Sequence, residues 1–290
     1  MKMVQMFKSL KTNLFIQMIV NALKIHKTFI GLVIVVILIL SSFLSTPISG
    51  YHPDSHGDIV NERYLAPSGA HPFGTDKFGR DLLSRVLYGG RISLMIAVSV
   101  VTISMIIGVL YGSLSGYFGG RIDRVMMRIL DFLLAFPLIF LIITLIALFK
   151  MTHWYLIPLL AFTSWMETAR LIRAEILSLK EREYIMAVQG LGYSHLRIIF
   201  VHVIPNCLSV VLVTIPLKIA EVILLESALS FLGIGVQPPT ASWGNIINDG
   251  REVLTSAWWI STIPGIFITF TVLSFHLISD GIRKSLSVQS

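Results

Sequence analysis

The chain has 290 residues, of which 54% are hydrophobic and 13% charged, and its mean hydropathy is +0.79. Soluble domains carry about a quarter charged residues, so this composition excludes an ordinary soluble enzyme or binding module and points to an integral membrane protein. The lone Cys207 excludes an intrachain disulfide framework and a multi-cysteine metal site, and the net charge of +7 must be read by position rather than as a nucleic-acid footprint.

Before the first apolar run, Met3, Phe7, Leu10, Leu14 and Met18 recur at helical spacing with lysines between them. This predicts an amphipathic helix lying on the cytoplasmic face of a bilayer. Six runs are then long enough to cross a hydrocarbon core, which takes about 20 helical residues. They are Thr28–Ile48, Ser93–Tyr117, Val125–Phe149, His153–Ile172, Asn206–Leu232 and Trp258–Ile282. Barrel strands would show short alternating segments instead, so the predicted fold is an all-α integral membrane protein with six transmembrane helices. The first run is too long and lies too deep behind the N-terminus to read as a signal peptide. Of the 23 Lys and Arg residues, 15 fall on the N-terminal side: Lys2 to Lys27, Arg121 to Arg128, Arg170 to Arg197, and Arg283 with Lys284. The positive-inside bias predicts that both termini and the 174–204 loop are cytoplasmic.

Between the first two runs, "HPFGTDKFGRDLLSR" (His71 to Arg85) holds two glycines at the spacing of a phosphate-binding P-loop. The pattern fails at the next positions. Arg80 and Asp81 stand where a lysine and a magnesium-binding hydroxyl are needed, and a carboxylate there would repel phosphate. The predicted topology also puts this stretch outside, where ATP is scarce. In "YHPDSHGD", His52, Asp54 and His56, with His71 beyond, alternate imidazole and carboxylate as a transition-metal site could. Irregular spacing among Gly, Pro and Ser favours a linker.

Gly108, Gly112 and Gly116 repeat every four residues in the second run, a spacing that lets helix backbones pack closely. Asp131 follows Arg128 by three residues and predicts a structural ion pair on one helix. The fifth run contains Lys218, Glu221 and Glu226. Charges inside a membrane normally face a bundle interior or a cavity. Lys218 and Glu221 are spaced to neutralise each other, whereas Glu226 has no sequence-local partner. All three are pathway candidates.

The 174–205 loop is long and patterned: "EILSLKEREYIMAVQGLGYSHLRIIFVHVIPN". Glu181 to Met186 favour helix, Gly190 and Gly192 interrupt it, and Ser194 suits the cap of a second helix running to Ile204. The expected shape is a compact knob carrying Tyr184, Met186, Leu191, Tyr193 and Leu196 on its surface, more apolar area than water tolerates without a partner. Pro205, which lacks an N–H donor, is expected to mark the bend back into the membrane.

Here the sequence resembles a known family. Ala187, Gly192 five residues on and Pro205 thirteen further are similar to the E-A-A-x-x-x-G-(nine)-I-x-L-P loop of ATP-binding-cassette importer permeases. Met186, Val188, His202 and Ile204 stand where that general pattern has Glu, Ala, Ile and Leu. Three further stretches, "HPFGTDKFGRDLLSRVLYGGRISL", "DRVMMRILDFLLAFP" and "ESALSFLGIGVQPPTASWGN", narrow the resemblance to the C-type permease of the dipeptide, oligopeptide and nickel importers.

The resemblance implies a division into residues 1–92 (amphipathic helix, first span, outer loop) and 93–284 (five helices and the 174–205 coupling loop). It implies a bacterial cell membrane and no bound cofactor or catalytic residue. The expected partners are a homologous second permease, two ATPase subunits below, and an extracellular or periplasmic substrate-binding protein above. It assigns the ATPase contact to Glu183, Tyr184, Ala187, Gly190, Leu191, Gly192 and Tyr193, with Pro205 behind them. Peptide is the expected cargo, with nickel or a metal chelate as the alternative. A gradient-driven transporter would spread charges through several spans, and no triad, HExxH motif or converging carboxylate pair suggests an enzyme.

Overall fold

A computed structural model describes residues 21, 23–149 and 153–287. The stretch Met3–Met18, where an amphipathic helix is expected, lies outside the described residues. The elements in chain order are α1 (His26–Phe43), α2 (Ser45–Ser49), α3 (Leu82–Phe118), α4 (Gly120–Leu134), α5 (Leu138–Phe149) and α6 (Leu156–Lys180). They continue with α7 (Glu183–Gly190), α8 (His195–Phe231), α9 (Trp243–Gly250) and α10 (Trp259–Ser287). Among the described residues the regular structure is all helical.

Among the described residues four helices, α1, α3, α8 and α10, are long and apolar enough to cross a membrane, and α4 with α5 makes a fifth if the pair is one bent span. Helix α6 has the length, but Glu167, Arg170 and Arg173 lie within it and dilute its apolar character. The expected Val125–Phe149 run is therefore not one straight helix. It bends by 67° between α4 and α5, where Pro137 removes an N–H and pushes the residue before it out of helical conformation.

The second span is longer than hydropathy suggested. Helix α3 has 37 residues, about 55 Å at 1.5 Å per residue, against a hydrocarbon core of about 30 Å. Its start is fixed by Asp81, whose carboxylate accepts from the Ser84 N–H at 2.7 Å. That is the residue that broke the P-loop pattern: a carboxylate on free N–H groups is an N-cap. The extra turns pack beneath α9, where the Trp243 indole N–H donates to the Val86 carbonyl at 2.9 Å. Helix α9 is itself started by a capping box between Ser242 and Asn245.

Lipid offers little hydrophobic force to drive helices together, so close packing decides which pairs form. The glycine stripe of α3 lies along α6. A Cβ on Gly108 would stand 2.7 Å from the Thr168 Cβ, one on Gly112 would meet the Ala169 carbonyl, and one on Gly116 would stand 3.0 Å from the Arg173 carbonyl. Helices α1 and α10 are joined in the same way, with Gly31 against Ser274 and Gly281 against Thr28. The core between these layers is built from Ile96, Ala97 and Val100 of α3, Leu160 and Ile172 of α6, Ile223 of α8 and Ile260 of α10.

Candidate functional site

The knob forms at the junction of α6, α7 and α8. Helix α7 is held to the bundle by Ile185, which is fully buried, and by half-buried Val188. Glu183, Tyr184, Ala187, Gly190 and Leu191 fall on its other side at helical spacing, and all are exposed, as are Gly192 and Tyr193. Leu191 and Leu196 show 74% and 63% of their surfaces. Partial burial pushes the Tyr184 phenol above its ordinary value. The turn is made at Gly192, whose φ of +74° suits glycine. Gly190 has no such backbone need, and a Cβ at either position would meet open space.

Ser194 does precede the second helix with extended backbone, but its hydroxyl makes no capping bond. The helix does not stop near Ile204, nor does the chain bend at Pro205. One helix runs from His195 to Phe231. A π-helical stretch, Ile198–Val203, absorbs the proline, with the Ile204 N–H reaching back to Ile199. The chain turns instead at residues 181–182 and 191–194, on either side of α7. Three ties hold the knob's base. Tyr117 and His195 meet at 2.9 Å, Lys180 donates to the Tyr117 carbonyl at 2.9 Å, and Arg173 grips Asp123 with two bonds of 2.5 and 2.6 Å. Asp131 does not pair with Arg128 as expected; it meets Arg170 of α6 at 2.5 Å, an ion pair between helices rather than along one.

Halfway along α8, Lys218 is buried and its ammonium donates to Glu221 at 2.8 Å, as the spacing predicted, and also to Glu167 of α6. Glu167 was missed by the sequence reading. Its signal was a lone carboxylate inside the apolar "LLAFTSWMETARLI". The three groups line a cleft of about 190 Å³ with Thr163, Ser164 and Leu225.

Glu226 belongs elsewhere. It is fully buried, accepting from Ser93 at 2.9 Å and from Ser230 at 2.7 Å, and the Ser93 hydroxyl in turn accepts from the Trp243 N–H at 3.4 Å. It joins α3, α8 and α9 and is not among the residues lining the cleft.

At the other end of the molecule, the stretch that opened like a P-loop is a buried ion cluster. Asp76 takes the Arg80 guanidinium at 2.7 Å and lies 3.3 Å from Arg85, while Asp249 of α9 meets Lys77 at 2.7 Å. The histidines of this segment are used separately. His71 bonds Asp81 at 2.9 Å, and His56 sits edge-on to Phe78.

Comparison with known proteins agrees with this anatomy. Residues 108–287 match the family model described as "Binding-protein-dependent transport system inner membrane component". A chain of Brucella abortus that carries the name of a peptide transport system permease protein is 41% identical over 264 residues, covering 90% of this chain and 88% of that one. The oligopeptide transport system permease protein OppC of Bacillus subtilis is 38% identical over 257 residues, 89% of this chain and 84% of its own. With the family model spanning most of the chain and these relatives nearly all of it, this multi-pass membrane protein belongs to the inner membrane components of binding-protein-dependent transport systems.

Proposed function

We propose that the chain is one membrane-spanning half of an ATP-binding-cassette importer for peptides, inactive alone and driven by separate ATPase subunits. The observation that carries this reading is mechanical. The exposed α7 knob feeds through Gly192 into α8, a single helix that carries Lys218 and Glu221 and packs against α9. A displacement of the knob is passed along that helix, through Pro216, toward the cleft-lining charges.

In this reading Glu183, Tyr184, Ala187, Gly190, Leu191, Gly192 and Tyr193 contact the ATPase. Closure of two ATPases on ATP draws this knob and that of a homologous permease together, and the shared passage switches from inward- to outward-facing, a rigid-body alternation of access. Six spans with both termini in the cytoplasm, and a bacterial cell membrane, complete the arrangement. Residues 1–92 flank the 93–284 transport unit. A substrate-binding protein delivers peptide to the outer face around α9, and the names of the relatives support peptide as the cargo.

The test is uptake into proteoliposomes. With the companion permease, the ATPases and the binding protein present, peptide uptake should require ATP on the ATPase side and vanish without the ATPases. Uptake by this chain alone on an ion gradient would refute the proposal.

A further inference from the structure

Two of the intramembrane charges among the described residues are sealed away. Glu226 is enclosed by serines, and Lys218 is only 8% exposed. Glu167 and Glu221 are different: with their side chains 64% and 59% exposed, both open onto the same cleft. Glu167 lies at the middle of α6, and Lys218 and Glu221 lie near the middle of the apolar Asn206–Leu232 run. A carboxylate at that depth facing lipid would be expensive, so this face meets water or a neighbouring subunit rather than lipid.

One ammonium between two carboxylates leaves a net charge of −1. Lys218 is already committed to both glutamates by hydrogen bonds, so it has little left to offer a passing anion. Each glutamate gives Lys218 one oxygen, leaving the other open to the cleft. The cluster therefore reads cations, and specifically a group with several N–H donors that can bridge two carboxylates. Lys218 also sets the strength. Two unopposed carboxylates would trap a cation, whereas conduction needs a site weak enough to leave.

We propose that Glu167, Lys218 and Glu221 form a transit subsite for the ammonium group of a peptide, its free N-terminus or a lysine side chain, with the apolar wall at Ile139 and Leu225 facing the rest of the cargo. This rests on the peptide-importer reading above. The site carries no demand on peptide sequence, because every free peptide brings the same group.

The experiment compares ATP-driven uptake of trialanine and N-acetyltrialanine by the complete reconstituted complex carrying wild type, Glu167→Gln or Glu221→Gln. Each variant is compared with wild type on the same peptide, so the binding protein's own preference cancels. Lys218 is left in place and each variant leaves it one carboxylate, since removing both would strand a buried ammonium just as removing Lys218 would strand two carboxylates. Each variant should lower trialanine uptake severalfold, up to roughly tenfold, the loss expected for charge-assisted hydrogen bonds, and N-acetyltrialanine uptake much less. Equal losses on both peptides would overturn the subsite and assign the carboxylates to a contact with the sister permease. Unchanged uptake of both would overturn it as well. Wild type that imports neither peptide with ATP would instead refute the importer reading on which the subsite rests.

Discussion

Asp76 shows how much one carboxylate holds. It is 1% exposed, accepts from the backbone N–H groups of Phe78 and Arg80, and pairs with Arg80 while lying beside Arg85. Removing its charge leaves two buried guanidinium groups short of a counter-ion, a situation that costs about 3–5 kcal/mol. Asp76→Asn is expected to lower the thermal unfolding midpoint of the detergent-purified protein sharply. Asp58→Asn, on an exposed turn, should leave the midpoint nearly unchanged. Equal behaviour of the two would mean the cluster is not a structural staple. None of this pairing was legible in the sequence, where the same residues resembled a failed phosphate loop. The likeness has a physical cause: glycine spacing records where a chain turns, and both a P-loop and an ion-paired turn need one.

At the scale of elements, the knob was legible and its outlet was not. Glycine at 190 and 192 and the apolar residues between helical stretches predicted a projecting turn, and the left-handed backbone at Gly192 agrees with that expectation. Pro205 was read as a bend because proline usually ends a helix, yet the preceding π-helical stretch lets α8 pass through it. The continuity matters for function, since one helix, with Pro216 inside it, links the knob to the cleft residues. Gly192→Leu would force a branched side chain into left-handed backbone, at about 1–2 kcal/mol, and place bulk on the exposed turn. It is expected to abolish ATP-driven uptake or ATPase attachment while membrane insertion persists. Wild-type uptake by this variant, with ATPases normally bound, would remove the knob from the mechanism. The glycine stripe of α3 was legible as a packing face, but its partner, α6, was set only by the fold.

For the whole molecule, the proposed orientation makes the knob and the α9 region face opposite compartments. In a Cys207→Ser background, Tyr193→Cys should react with a membrane-impermeant maleimide only from the cytoplasmic side, and Arg251→Cys only from the outside. Labelling of both from one side would invert or break the six-span arrangement. That arrangement also depends on α6, whose charges hide it from a hydropathy criterion although its length suits a span. Its charges have partners on other helices: Glu167 on α8, and Arg170 and Arg173 on α4. Partners distant in sequence are what make a charged helix tolerable among apolar ones.

Composition, hydropathy runs and glycine spacing by themselves determined that this is a helical membrane protein with a projecting, glycine-turned knob, because those signals come from local periodicity and from what a bilayer tolerates. Which charges face each other was decided only by tertiary structure. Lys218 and Glu221 lie within one helical turn, so their pairing could be read along the chain. Glu167 reaches Lys218 across 51 positions, and Ser93 reaches Glu226 across 133. Such pairings depend on which helix backbones can approach, and that is settled by packing between elements rather than by any one of them.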